Sequence, residues 1–216
     1  MLGLSLGIDS VVTAGVAGPY VPAASSVFVN LTNTATVPLP AGAKANDTVV
    51  VSVGHSFTLN GLTWSGANTG IQNLQGSNYN GLSYYGTLAA ADITRGNLVF
   101  GFSGNGYGIA SIVLLPGTHT YIDSGGSRQG TGAASRTVST AGSVAAGSAL
   151  ILLGSAYLAT DATSTSLSTT PVHNQNANAS GVCRYGVAGS TGVQSGTINY
   201  AGSPGGDYQV IIAMSA

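Results

Sequence analysis

The sequence predicts an all-β protein: two tandem, jelly-roll-like β-sandwich modules related by internal duplication, with an extended arm ahead of them. Three observations lead there. The first is composition. Hydrophobic residues make up 44% of the 216 residues and charged ones only 5%, against about 25% charged in an ordinary soluble protein. The six acidic residues are all Asp, and Gly, Ser, Thr and Asn dominate the polar set. Exposed helix faces favour Glu, Lys and Gln. Strands and turns favour Val, Ile, Thr, Tyr, Gly and Asn. The second observation is the spacing of turn signals, with short apolar runs between them at the interval common in sandwiches. The third is a repeat. The stretch from Ala41 to Gly54, a turn followed by a Val-rich strand, returns from Ala141 to Gly154.

Residues 1–24 read as an N-terminal anchoring arm. Leu2, Leu4, Leu6 and Ile8 alternate with Gly3, Ser5 and Gly7, the period of a half-buried strand. These four are the candidate assembly contacts, suited to adding a strand to a neighbouring chain; the same pattern equally suits an edge strand on the protein's own first sheet. The segment lacks a basic n-region and Asp9 interrupts it, so a cleaved signal is not expected.

The first module spans 25–117. Val27–Leu31 is its first strand, and Thr36–Pro40 a short edge strand, because Pro donates nothing to a ladder. Asn46 and Asp47 turn the chain into Thr48–Val53, apolar enough to be covered on both faces. Leu59, Leu62 and Trp64 form the next element, followed by a polar segment over 65–80. Leu82–Thr87 is a strand, Asp92–Asn97 a turn and Leu98–Phe102 a strand. Asn105–Gly106 signals a hairpin, and Ile109–Leu115 closes the module. Residues 118–130 read as a flexible Gly/Ser linker.

The second module spans 131–216. At an offset of one hundred, Gly81 meets Gly181, Tyr85–Gly86 meets Tyr185–Gly186, and Gly96 meets Gly196. Leu98 and Phe100 meet Ile198 and Tyr200, Gly106 meets Gly206, and Ile112 meets Ile212. Turn glycines and strand hydrophobics are where a repeated fold needs its matches.

No catalytic, metal or cofactor site is predicted. His55, His119 and His173 have no partner at ligand spacing, and the six Asp residues are scattered. Gly101-Phe102-Ser103-Gly104 misses the nucleophile-elbow spacing. Cys183 alone forms no intrachain disulfide and reads as a small buried hydrophobe. Lys44, Arg95, Arg128, Arg136 and Arg184 form no run, which argues against nucleic acid. No apolar stretch is long enough for a membrane helix. One binding site stands out. Trp64, Tyr79 and Tyr84 cluster beside Gln72, Asn73, Gln75, Asn78 and Asn80, and aromatic faces with amides suit a sugar or receptor glycan.

The run from Ala41 through Val49–Gly54, Tyr84-Tyr85-Gly86 and Gly96–Phe100 to Ile109–Leu115 resembles β-sandwich modules of bacteriophage virion proteins. The likeness extends more weakly over 137–216, and the opening Met-Leu-Gly-Leu-Ser-Leu resembles the start of some phage tail and head-appendage proteins. The resemblance implies a non-enzymatic tail, fibre, spike or capsid-decoration component without cofactors. Its partners would be other virion proteins and copies of itself. It would be assembled in the host cytoplasm and released on lysis. The alternatives are a module binding a host-surface glycan and a bacterial surface adhesin.

Overall fold

The computed structural model describes residues 23–66, 68–74, 79–129, 134–157, 161–164, 166–167, 172–175, 179–202 and 204–215. These are almost all strand. In chain order they form β1 (Ala23–Pro38), β2 (Thr48–His55), β3 (Leu59–Thr63), β4 (Asn68–Leu74) and β5 (Asn80–Thr87). The short helix α1 (Ala90–Arg95) and the long strand β6 (Asn97–Leu115) follow. Then come β7 (Tyr121–Gln129), β8 (Ser135–Ser139), β9 (Ala149–Tyr157), β10 (Asp161–Thr163) and β11 (Val172–Gln175). The chain ends in β12 (Ala179–Val187), β13 (Ser195–Ala201) and β14 (Gly206–Met214).

All pairings between these strands are antiparallel, and they make three sheets. The first runs β1-β6-β2-β5-β4, with β3 added on β6. The second is β11-β12-β9-β14-β7, and the third β10-β13-β8. In the first sheet β1 and β6 are single long strands that pair along their whole length. The expected breaks within them are absent. Between Thr32 and Thr34 the partners on β6 jump from Gly106 to Gly101. Asn105–Gly106 therefore lies in a bulge and is not a hairpin turn, because β6 continues in the same direction beyond it. Gly106 is small for a packing reason: a Cβ there would lie 2.2 Å from Ser56 Oγ and 2.7 Å from the Phe57 ring.

Corresponding pairings appear in the two halves. Thr48 faces Thr87 and Leu115, and Ala149 faces Val187 and Met214. β1 lies beside β6 as β7 lies beside β14 and β8 beside β13. The turn before β2 carries hydrogen bonds from Asn46 N to Leu88 O and from Leu88 N to Asp47 O. Gly147 N to Ala188 O and Ala188 N to Ser148 O match them. Asn46 and Gly147 are both left-handed, at φ 71° and 86°. These contacts place Thr48 opposite Ala149 in the comparison, an offset of 101 and not one hundred. The one-residue difference matters because a strand slipped by one exchanges its faces. Val50 then corresponds to Ile151, and both lie in the same buried cluster. At β6 and β14 the offset is 99, so Ile112 corresponds to Ile211 and Val113 to Ile212.

Three apolar layers follow from the alternation. Val49, Val51, Val53, Leu98, Phe100 and Ile112 pack within the first half. Val138, Leu152, Val182, Ile198 and Ile211 pack between the second and third sheets. The middle layer joins the halves: Val50, Val113 and Leu115 meet Ile151, Leu153, Tyr185, Val210 and Ile212. Across it β5 faces β14, β2 faces β9, β6 faces β12, β1 faces β11 and β4 faces β7. Residues 118–130, expected as a flexible linker, are mostly β7, the edge strand of the second sheet. Its Ser-Gly-Gly-Ser sequence permits close approach, since a Cβ on Gly125 would fall 1.6 Å from Ser139 O.

The expected turn at Asp92–Asn97 is helix α1 with its left-handed cap at Gly96, φ 70°. Asp92 is fully buried. Its carboxylate accepts from Ser65 N (2.8 Å), Gly66 N (3.2 Å) and Ala89 N (2.8 Å), and pairs with Arg95. Burial opposes its charge, but the hydrogen bonds from Ser65, Ala89 and Arg95 outweigh that and hold its pKa below the usual value.

Candidate functional site

The three aromatics expected to form one platform are divided between different places. Tyr79 is fully buried in the middle layer. Its hydroxyl donates to Gly54 O at 2.9 Å and lies 3.3 Å from Ser155 Oγ, while Arg128 Nε donates to its carbonyl. Burial pushes its pKa up. Tyr79 is therefore a contact between the halves and is out of reach of a ligand, which corrects the expected platform. The sequence alone hid this, because its position just before β5 is equally compatible with a surface loop.

Trp64 follows β3 and is half-buried against the first core. Its indole donates to Thr87 O at 3.2 Å. Tyr84 is also half-buried against that core, and it does line a depression. With Leu59, Asn60, Gly61, Leu62 and Asn68 it bounds a solvent-open hollow of about 210 Å³ between β3 and the β4–β5 pair. None of these six side chains is charged. Gly70 pairs with Tyr84 across the ladder, and a Cβ there would touch the ring at 3.5 Å. Glycine thus leaves that edge of the ring uncovered.

The amides singled out by sequence have a different fate. Asn80 is buried, Gln75 and Asn78 lie outside the described residues, and the side chains of Gln72 and Asn73 are likewise outside them. Asn60 and Asn68, which do line the hollow, were not singled out. Their signal was faint: each is an amide in a strand whose own half-buried neighbours, Leu59 and Leu62 or Ile71, face inward. Leu2, Leu4, Leu6 and Ile8 lie outside the described residues.

Several of the described groups able to do chemistry are engaged in the fold. Asp47 accepts from Lys44 N (2.9 Å) and Gly117 N (2.8 Å). Asp123 holds Gly142 N at 2.5 Å. Asp207 is buried and ion-paired with Arg136 at 3.0 Å. The His55 ring stacks on Phe102 at 4.0 Å, and its Nδ1 accepts from Phe57 N at 3.0 Å. Burial lowers its pKa. His119 sits between Ser215 O and Pro116 O, at 2.6 and 3.0 Å. Ser103 Oγ accepts from Thr58 N. Cys183 is buried in the middle layer, and burial pushes its thiol up to about 12, far from the range of a reactive thiolate. Among the described residues no group of three or more His, Cys or Asp side chains could hold a metal ion, and no helix is long and apolar enough to cross a membrane.

Comparison with family models, with curated proteins and with solved structures gives no match.

Proposed function

We propose that this chain is a non-enzymatic structural component of a bacteriophage virion, a tail, fibre or head-appendage part. In this reading it is built from two copies of one jelly-roll-like β-sandwich module joined face to face. The observation that carries the proposal is the use of its ionisable groups. Asp47, Asp92, Asp123, Asp207, His55 and His119 all hold backbone or partner side chains in place. Among the described residues, what faces solvent is chiefly hydroxyl, amide, glycine and alanine. Such a surface suits a chain that packs closely against copies of itself and other proteins of a particle.

Duplication is supported by the matching turn hydrogen bonds and by the layer between the halves. Gly81 abuts Tyr208, and Gly181 abuts Ile109, the residue corresponding to Tyr208. Each copy thus offers the other the same glycine and receives the same strand. That is the pattern of a two-fold interface within one chain, and it makes the pair a rigid block in place of two beads on a linker. The arm, residues 1–24, would anchor the block to the particle or to sister subunits. Assembly would take place in the host cytoplasm, with release on lysis.

The test is to purify particles from lysed host cultures and probe them for this chain. Co-sedimentation with particles is expected, and a chain lacking residues 1–24 should fold normally yet be missing from them. Recovery only as free protein, or from the medium of unlysed cells as an adhesin would be, overturns the reading.

A further inference from the structure

We propose that the hollow bounded by β3, β4 and β5 binds a single ring of an uncharged sugar. Its chemistry is matched to that class. The half-buried Tyr84 ring offers an apolar surface for the C–H face of a pyranose, with only the edges of the inward-facing Leu59 and Leu62 beside it. Asn60 and Asn68 are exposed at its mouth, and each amide both donates and accepts, as a sugar hydroxyl requires. No cation lines it, and β3, β4 and β5 carry no Lys, Arg or His. An acidic sugar or a phosphate would therefore enter without a counter-charge. The volume of about 210 Å³ is below the roughly 300–1,000 Å³ of sites for larger ligands, room for about one ring within the hollow.

The second half shows that the hollow is not a necessary by-product of the strand arrangement. There Arg184 stands at the Tyr84 position and its guanidinium donates to Ser164 O. Ser164, which follows β10, is buried and donates to Thr197 O at 2.5 Å. Leu167, held left-handed at φ 63°, lies within 3.1–3.2 Å of where a Cβ on Gly186 would be. These groups occupy the corresponding region. Among the described residues, the first half presents in Tyr84 an aromatic ring with open space beside it, bordered by amides.

The inference is independent of the virion reading, since a particle component with no ligand would leave that reading intact. The test uses the full chain, labelled with nitrogen-15 and titrated with the methyl glycosides of glucose, galactose and N-acetylglucosamine. N-acetylneuraminic acid is the charged comparison. A neutral glycoside should shift the amide signals of Asn60, Gly61, Asn68 and Tyr84 with a dissociation constant of roughly 1 mM, in keeping with a few hydrogen bonds and one stacked ring. The acidic sugar should bind at least about tenfold more weakly. The double variant Asn60→Ala/Asn68→Ala removes two exposed amides without touching the core. It should keep the parent unfolding midpoint and lose about tenfold or more in affinity. No shift with any neutral glycoside, shifts confined to another surface, equal binding of the acidic sugar, or undiminished affinity in the double variant would each overturn the proposal.

Discussion

Gly81 lies directly beneath the ring of Tyr208, so closely that a Cβ on Gly81 would fall 1.8 Å from Cδ2 and 2.0 Å from Cγ. The same ring carries a hydroxyl that meets Ser83 Oγ at 2.6 Å. Thus one strand of the first half, β5, receives a side chain from β14 of the second through the absence of its own. The atoms in conflict are the root of a rigid ring, and they cannot swing away.

Gly81→Val should therefore destabilise the chain by about 3 kcal/mol, the upper range for overpacking. Gly181→Ala meets Ile109 Cγ2 at 2.8 Å, a branch that can rotate, and should cost about 1 kcal/mol. Chemical unfolding of both variants measures this. Equal, small effects would mean that the halves do not touch at these points.

Alkaline pH should loosen the molecule. Tyr79, Tyr200 and Tyr208 are fully buried, and burial is the leading reason that each has a pKa raised above the ordinary 10.0. Above that pH the unfolded chain loses these protons while the folded chain keeps them. Stability then falls with rising pH, by about 1.4 kcal/mol per unit for each tyrosine. Unfolding midpoints between about pH 9 and pH 11 should drop steeply, and Tyr208→Phe should flatten the slope by its share. At neutral pH the same substitution should cost only about 1 kcal/mol, the worth of the Ser83 hydrogen bond. A slope unchanged by the substitution would show that Tyr208 ionises in the folded state.

Acid should act through His55. Burial leads the lowering of its pKa below 6.5, against backbone hydrogen bonds that raise it. The unfolded chain takes up the proton first, so stability falls as pH drops below about 6.5, by at most about 1.4 kcal/mol per unit. His55→Gln should remove this limb of the pH profile. A profile identical to the parent's between about pH 4 and pH 6.5 would place the dependence elsewhere.

The strands were legible because burial on one or both faces imprints an alternation or an apolar run, as in Val49–Val53 and Val210–Met214. Their faces were not. Matching Ala41–Gly54 to Ala141–Gly154 by identity set Val50 against Leu150, whereas burial sets it against Ile151; only the ladder partners Thr87 and Val187 reveal the inserted residue. The small residues of β7 concealed a strand, because glycine chosen for close approach to Ser139 looks like glycine chosen for freedom. The site was half legible for a similar reason. Tyr79 and Tyr84 are five positions apart with equal aromatic character, and only the stacking of the two halves puts one in a buried layer and the other beside a hollow.

The ion pair of Arg136 and Asp207 supplies the sharpest comparison between the halves. Arg136 approaches the carboxylate through two nitrogens, at 3.0 and 3.2 Å, and Asp207 is fully buried. The ladder pairings put Ala35 and Gly108 at the corresponding places in the first half, where Ala35 is itself buried in the core. A buried pair gains from its mutual attraction but loses hydration, so removing one member leaves a charge without compensation. Asp207→Gly or Arg136→Ala alone should cost about 3–5 kcal/mol. The double variant Arg136→Ala/Asp207→Gly recreates the first-half pair and removes both charges together. It should be no worse than the more damaging single variant, with a coupling of at least about 1 kcal/mol in the double-mutant cycle. Strictly additive losses would show that the two side chains are stabilised separately, and that the second half uses them for something other than each other.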